Sequence, residues 1–138
     1  MIEMIEFCFW IFLSLCLLSI PLVMIILGRI MAKHPPKEIN SIYGYRTSRS
    51  MKNLDTWKFA NTMFGKLWFR GGWGVLVFTI AGIVWLYGKD VNTTSIESLV
   101  VVGLQFIPLV GTIVPVEIAL RRNFDDDGNR RDNKGVEK

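Results

Sequence analysis

Arg46 lies in Asn40-Ser41-Ile42-Tyr43-Gly44-Tyr45-Arg46-Thr47, a turn-prone stretch in which two tyrosines flank a glycine. Its guanidinium is a planar fork of donors that matches a phosphate or a carboxylate. Asn40, Thr47 and Ser50 add hydrogen-bonding side chains at short spacing. Such a cluster can clamp a phosphate, a lipid headgroup or a partner carboxylate. It can equally tie its loop to the headgroups or to a neighbouring helix. Tyr43 and Tyr45 read as anchors at a membrane–water boundary rather than as catalytic acids.

Two more polar residues, Gln105 and Glu117, interrupt an otherwise apolar block. An intramembrane carboxylate is a functional candidate by default. Glu117, however, precedes Arg121 by four residues, the favourable order for an ion pair along one helix, and that pairing is the reading preferred here. His34 is the single histidine, and Cys8 and Cys16 stand eight apart in one apolar run, so no metal site is expected. Asp125-Asp126-Asp127-Gly128 fails the EF-hand template, because its glycine comes early and no glutamate falls at the twelfth position. Asn92-Thr93-Thr94 matches a glycosylation sequon without further support. No nucleophile–base pair, phosphate-binding glycine loop or cofactor fingerprint is visible. Binding rather than catalysis, without a cofactor, is the expectation.

The elements that carry these residues are dictated by hydropathy. The chain has 138 residues, 51% hydrophobic and 20% charged. From Phe7 to Leu27 there is no charge, and two further long apolar blocks follow. Such blocks exclude an ordinary soluble domain, a disordered chain and a disulfide-rich scaffold. A bilayer core of about 30 Å takes roughly 20 apolar helical residues. The spacing therefore predicts an all-α integral membrane protein with three spans, about 7–27, 69–88 and 96–120. Pro21 is expected to bend the first span, and Pro108, Gly111 and Pro115 to kink the third. Gly74, Ala81 and Gly88 recur every seven residues and predict a small-residue face on the second span.

Leu54, Trp57, Ala60, Phe64, Leu67 and Trp68 follow helical spacing, with lysines largely elsewhere on the wheel. An amphipathic helix over about 50–66 is expected, lying along the headgroups with Trp57 and Phe64 embedded and Ser48 or Ser50 as its cap. Gly65 would turn the chain into the second span. The whole reads as one membrane domain, 1–124, followed by a polar, flexible tail, 125–138.

Charge sets the expected orientation. Residues 28–70 carry nine Lys/Arg against two acids, whereas residues 1–6 carry two acids and no base. The positive-inside rule places residues 28–70 and the tail in the cytoplasm and the N-terminus outside. A pI near 9.3 then reflects anionic lipid rather than direct nucleic-acid binding. Three helices leave a wide lateral surface for a partner or a homo-oligomer.

Pro36 through Asn40, Gly44-Tyr45-Arg46-Thr47, Ser50, Asn53, Trp57, Ala60-Asn61 and Gly65-Lys66 together resemble the SdpI family of small bacterial multi-pass membrane proteins. The tail Phe124-Asp125-Asp126-Asp127-Gly128-Asn129-Arg130 is similar to the family's tail. The resemblance implies a bacterial cell-membrane location and a toxin-immunity or signalling role. In that role the protein meets a secreted peptide toxin and draws a cytoplasmic regulatory protein to the membrane. The family's founding member is longer, with additional spans. The resemblance marks Asn40, Tyr43, Gly44, Tyr45, Arg46, Thr47, Ser50, Asn53, Trp57 and Asn61 as candidate ligand- or partner-binding residues. The alternative is a small transporter or channel subunit, with Gln105 and Glu117 lining a polar path through the third helix.

Overall fold

The computed structural model describes residues 1–131. Four helices follow one another: α1 (Ile2–Lys33), α2 (Leu54–Leu86), α3 (Val91–Gly111) and α4 (Ile113–Asn123). With α3 and α4 taken as one rod, three helices are long and apolar enough to cross a membrane. Large apolar side chains such as Leu15, Val77, Val84 and Ile107 lie exposed on their outer faces, as lipid-facing residues do.

α1 and α2 form an antiparallel pair that meets backbone to backbone. A β-carbon on Gly28 would stand 2.9 Å from the Gly65 carbonyl oxygen, and one on Gly65 only 2.7 Å from the Met31 carbonyl carbon. Farther along, a β-carbon on Gly72 would approach the Ile25 nitrogen to 3.1 Å. The small-residue face of α2 therefore runs through Gly65 and Gly72. The expected period of seven is present, but its phase differs: Gly74 and Gly88 have open space where a β-carbon would go, and Ala81 is exposed.

Pro21 lies inside α1 and has no N–H to give the Leu17 carbonyl. Gln105 of α3 supplies the missing donor, its amide Nε2 donating to Leu17 O at 3.0 Å. The same amide donates to Thr79 Oγ1 at 2.6 Å, joining all three spans near mid-membrane. The third span breaks at Thr112, between α3 and α4. Pro115 cannot donate to the Gly111 carbonyl, so the helix restarts with proline in its first turn, where no donor is needed. Trp68 bridges the break, its indole N–H donating to Thr112 Oγ1 at 3.1 Å.

The expected headgroup helix is instead the opening of α2, which runs unbroken through Gly65. Its amphipathic face finds protein rather than lipid to bury against, because the loop, α4 and the segment after it fold over it. Tyr45, Ala60, Val116, Leu120 and Phe124 form a small core there, flanked by Phe59, Met63, Phe64 and Leu67. The cap also differs from expectation. Asn53 accepts from the backbone N–H groups of Asp55 and Thr56, and Thr56 Oγ1 accepts from the Asn53 N–H, a reciprocal capping box. At the opposite end of the bundle Trp10 donates to Ile83 O at 3.0 Å and meets Tyr87 edge-on. There Asp90 caps α3, and two hydrogen bonds from Thr93 hold its carboxyl below the usual carboxylate range.

Candidate functional site

The loop between α1 and α2 is built on the first two turns of α2. Trp57 is fully buried, and its indole N–H donates to Pro36 O at 2.9 Å. Asn61, one turn on, donates from Nδ2 to Trp57 O and accepts the Tyr45 N–H on Oδ1 at 2.6 Å. Gly44 makes this approach possible. Its φ is +116°, and a β-carbon there would strike Asn61 Oδ1 and the Trp57 ring. Ser50 closes the next turn: its hydroxyl donates toward Tyr45 O and Thr47 O and accepts the Thr47 N–H at 2.8 Å. Thr56 in turn donates to Ser50 O at 3.0 Å.

Tyr45 ties this loop to the third span. Its ring is buried beside Phe64, and its hydroxyl donates to Glu117 Oε1 at 2.7 Å. Burial first, and the adjacent Glu117 second, push the phenol well above its ordinary range, so it stays protonated. Two expectations change here. Tyr45 is an internal strut rather than a boundary anchor. Glu117 is partnered by Tyr45, 72 positions away, and no salt bridge joins it to Arg121 among the described residues. Protein packing provides a nearby phenol, while Arg121 stays exposed.

The segment after α4, expected as a flexible tail, packs back onto the start of α2; residues 132–138 lie outside the described residues. Gly128, at φ +83°, accepts from Asn53 Nδ2 at 2.6 Å. Arg130 forks onto both carboxylate oxygens of Asp55 at 2.7 Å and lies over the Phe124 ring. Arg49 reaches Asp126 at 3.2 Å. Asp125 accepts the Asp127 and Asn129 N–H groups, and these bonds, Asn129 foremost, lower its pKa.

The structure thus gathers the predicted loop residues into one knot and divides their roles. Tyr45, Thr47, Ser50, Asn53, Trp57 and Asn61 direct their polar contacts inward, and Gly44 packs against Asn61 and Trp57. Asn40 Oδ1 caps the Ile42 and Tyr43 N–H groups. Arg46 stays exposed, one nitrogen on the Ser41 carbonyl, with Tyr43 and Ile42 exposed nearby. Beside Arg46 opens an apolar cavity of about 280 Å³, walled by Phe64, Trp68, Leu109, Val110 and Ile113. Gln105 and Glu117 lie about 18 Å apart along the rod at 1.5 Å per residue; Gln105 lines a cavity with Leu104 and Pro108, and Glu117 accepts from the Tyr45 hydroxyl. The sequence reading missed the Gln105–Leu17 bond, although a lone glutamine facing a lone span proline was its signal. Among the described residues no group of three potential metal ligands comes together.

A helical membrane protein with a loop and tail knotted at one end is the class that fold and site define. The SdpI/YfhL protein family model matches residues 37–116, and the chain belongs to that family. It is also 42% identical over 67 residues to a Bacillus subtilis (strain 168) protein described as "Uncharacterized protein YfhL", covering 49% of this chain. The match spans 56% of that protein's own length. No solved structure matches this chain.

Proposed function

We propose that this protein is a binding protein of the cell membrane with an immunity or sensing role, and that it performs no catalysis. It meets an apolar, membrane-active peptide and offers the basic loop to a cytoplasmic regulatory partner. One observation carries this reading: the loop uses most of its polar atoms for contacts within itself and to α2, yet leaves Arg46 exposed at the mouth of an apolar cavity, with Tyr43 and Ile42 exposed on the same loop. A rigid, cationic platform beside a lipid-facing cavity suits recognition. The Tyr45–Glu117 strut gives the platform a direct mechanical link to the third span. The nine Lys/Arg against two acids in residues 28–70 support a cytoplasmic position for this end.

The test is survival of bacteria with and without the gene when challenged with secreted antimicrobial peptides. Protection is expected against at least one peptide and is expected to fall in Arg46→Ala at equal protein level. Equal survival across the panel defeats the reading.

A further inference from the structure

Among the described residues, Gln105 Oε1 is the buried side-chain polar atom that has no hydrogen-bond partner. Its amide orientation is fixed, because Nε2 donates to both Leu17 O and Thr79 Oγ1. An unmet acceptor at mid-membrane is costly, and hydrocarbon tails carry nothing that can donate to it. Gln105 also lines a cavity of about 360 Å³ between α2 and α3, together with Gly71, Gly74, Val75, Phe78, Leu104 and Pro108. Pro108, on the same wall, has no N–H to give the Leu104 carbonyl.

This cavity and the one beside Arg46 are lined by successive stretches of the same rods. From Phe64 to Phe78 the α2 wall runs about 21 Å. Its centre is smooth: a β-carbon on Gly74 would meet nothing within 4 Å, and one on Gly71 only Met24 Cε at 3.9 Å. Glycine walls let a helix backbone approach closely, and interhelical hydrogen bonds then hold it.

We infer that the α2–α3 crevice docks an apolar membrane-spanning helix of a partner peptide, and that Gln105 Oε1 accepts a hydrogen bond from a polar side chain near the middle of that helix. A lipid tail fits the apolar walls but cannot supply the donor. The inference deepens the binding reading above by naming the partner's chemistry and its seat, and it rests on that reading.

The test uses the full chain in phosphatidylcholine–phosphatidylglycerol vesicles, labelled for energy transfer to a lysine-flanked polyleucine helix of about 20 residues. One helix carries a single mid-span asparagine and the other is all leucine. The asparagine helix is expected to bind about threefold to tenfold more tightly, the range of one interhelical hydrogen bond in a membrane. Gln105→Leu is expected to erase that preference. Gly74→Leu, whose β-carbon meets nothing within 4 Å and whose branched end occupies the crevice, is expected to abolish transfer from both helices. Equal binding of the two helices, no binding at all, or transfer indifferent to Gly74→Leu overturns the inference. So does transfer between two labelled copies of this chain that Gly74→Leu removes, since a second copy is then the occupant. Helix preference without protection of cells sinks the immunity reading alone; protection without helix preference sinks this inference alone.

Discussion

The loop end and the middle of the bundle treat their polar atoms in opposite ways. At the loop end, Asn61 and Ser50 are fully buried and fully engaged, and the tail closes onto Asn53 and Asp55. At mid-span, Gln105 repairs the Leu17 carbonyl but leaves its own oxygen unmet. Water can reach the edge of the first region and relieve an imperfect contact there. Nothing in hydrocarbon can do so for the second. The first region is therefore a finished structure, and the second is an open valence.

The contrast breaks most sharply at Trp57. Trp57→Ala removes the largest fully buried side chain and leaves the Pro36 carbonyl without its donor. A loss of about 3–5 kcal/mol is expected, read as a large drop in thermal midpoint in detergent micelles. Thermal unfolding that matches the parent would mean the loop is not packed on α2 as described. Asn53→Ala comes next. It removes the cap of α2 and the bond to Gly128, and about 1–2 kcal/mol is expected to go with them. Proteolysis between Phe124 and Arg131 should accelerate in this variant; unchanged cutting would detach the cap from the tail.

How far the sequence carries depends on the distance over which each feature is decided. The three spans were legible because an unbroken apolar run needs no partner to be recognised. The capping box was legible in principle, with Asn53 directly before the first periodic residue and Thr56 three positions on. The fate of the 54–66 face was not, since Trp57 and Phe64 look the same whether lipid or protein covers them. Asp125 to Arg130 read as solvated because composition cannot show that Asn53 and Asp55, some 75 positions earlier, await it. Glu117 was assigned to its neighbour Arg121 for the same reason: local spacing is visible, and Tyr45 is 72 positions away. Family resemblance picks out loop residues that the fold brings together but cannot separate struts from surface.

Tyr45 gives a smaller effect that depends on pH. Its folded pKa is raised, so the folded state keeps a proton that the unfolded phenol releases near pH 10. The strut's contribution is fully present below about pH 10 and declines as pH rises toward the folded value. Tyr45→Phe is expected to cost about 1 kcal/mol at neutral pH and to flatten the alkaline loss of stability. Parallel pH profiles for parent and variant would show that the phenol is not buried against Glu117.

Gln105→Leu should have the smallest effect on stability, and that is its value. The substitution forfeits the donors to Leu17 and Thr79, each worth about 0.6–1.7 kcal/mol in a membrane, but it also removes an acceptor that nothing in the chain satisfies. The two changes oppose each other, so a net shift within about 1 kcal/mol is expected, far below that of Trp57→Ala. Thermal unfolding in micelles without added peptide measures it directly. A loss as large as at Trp57 would mean that Gln105 is simply a brace, and that mid-span is as finished as the loop end. A near-neutral result places the cost of the unmet oxygen on the empty protein, where a partner that supplies a donor can recover it.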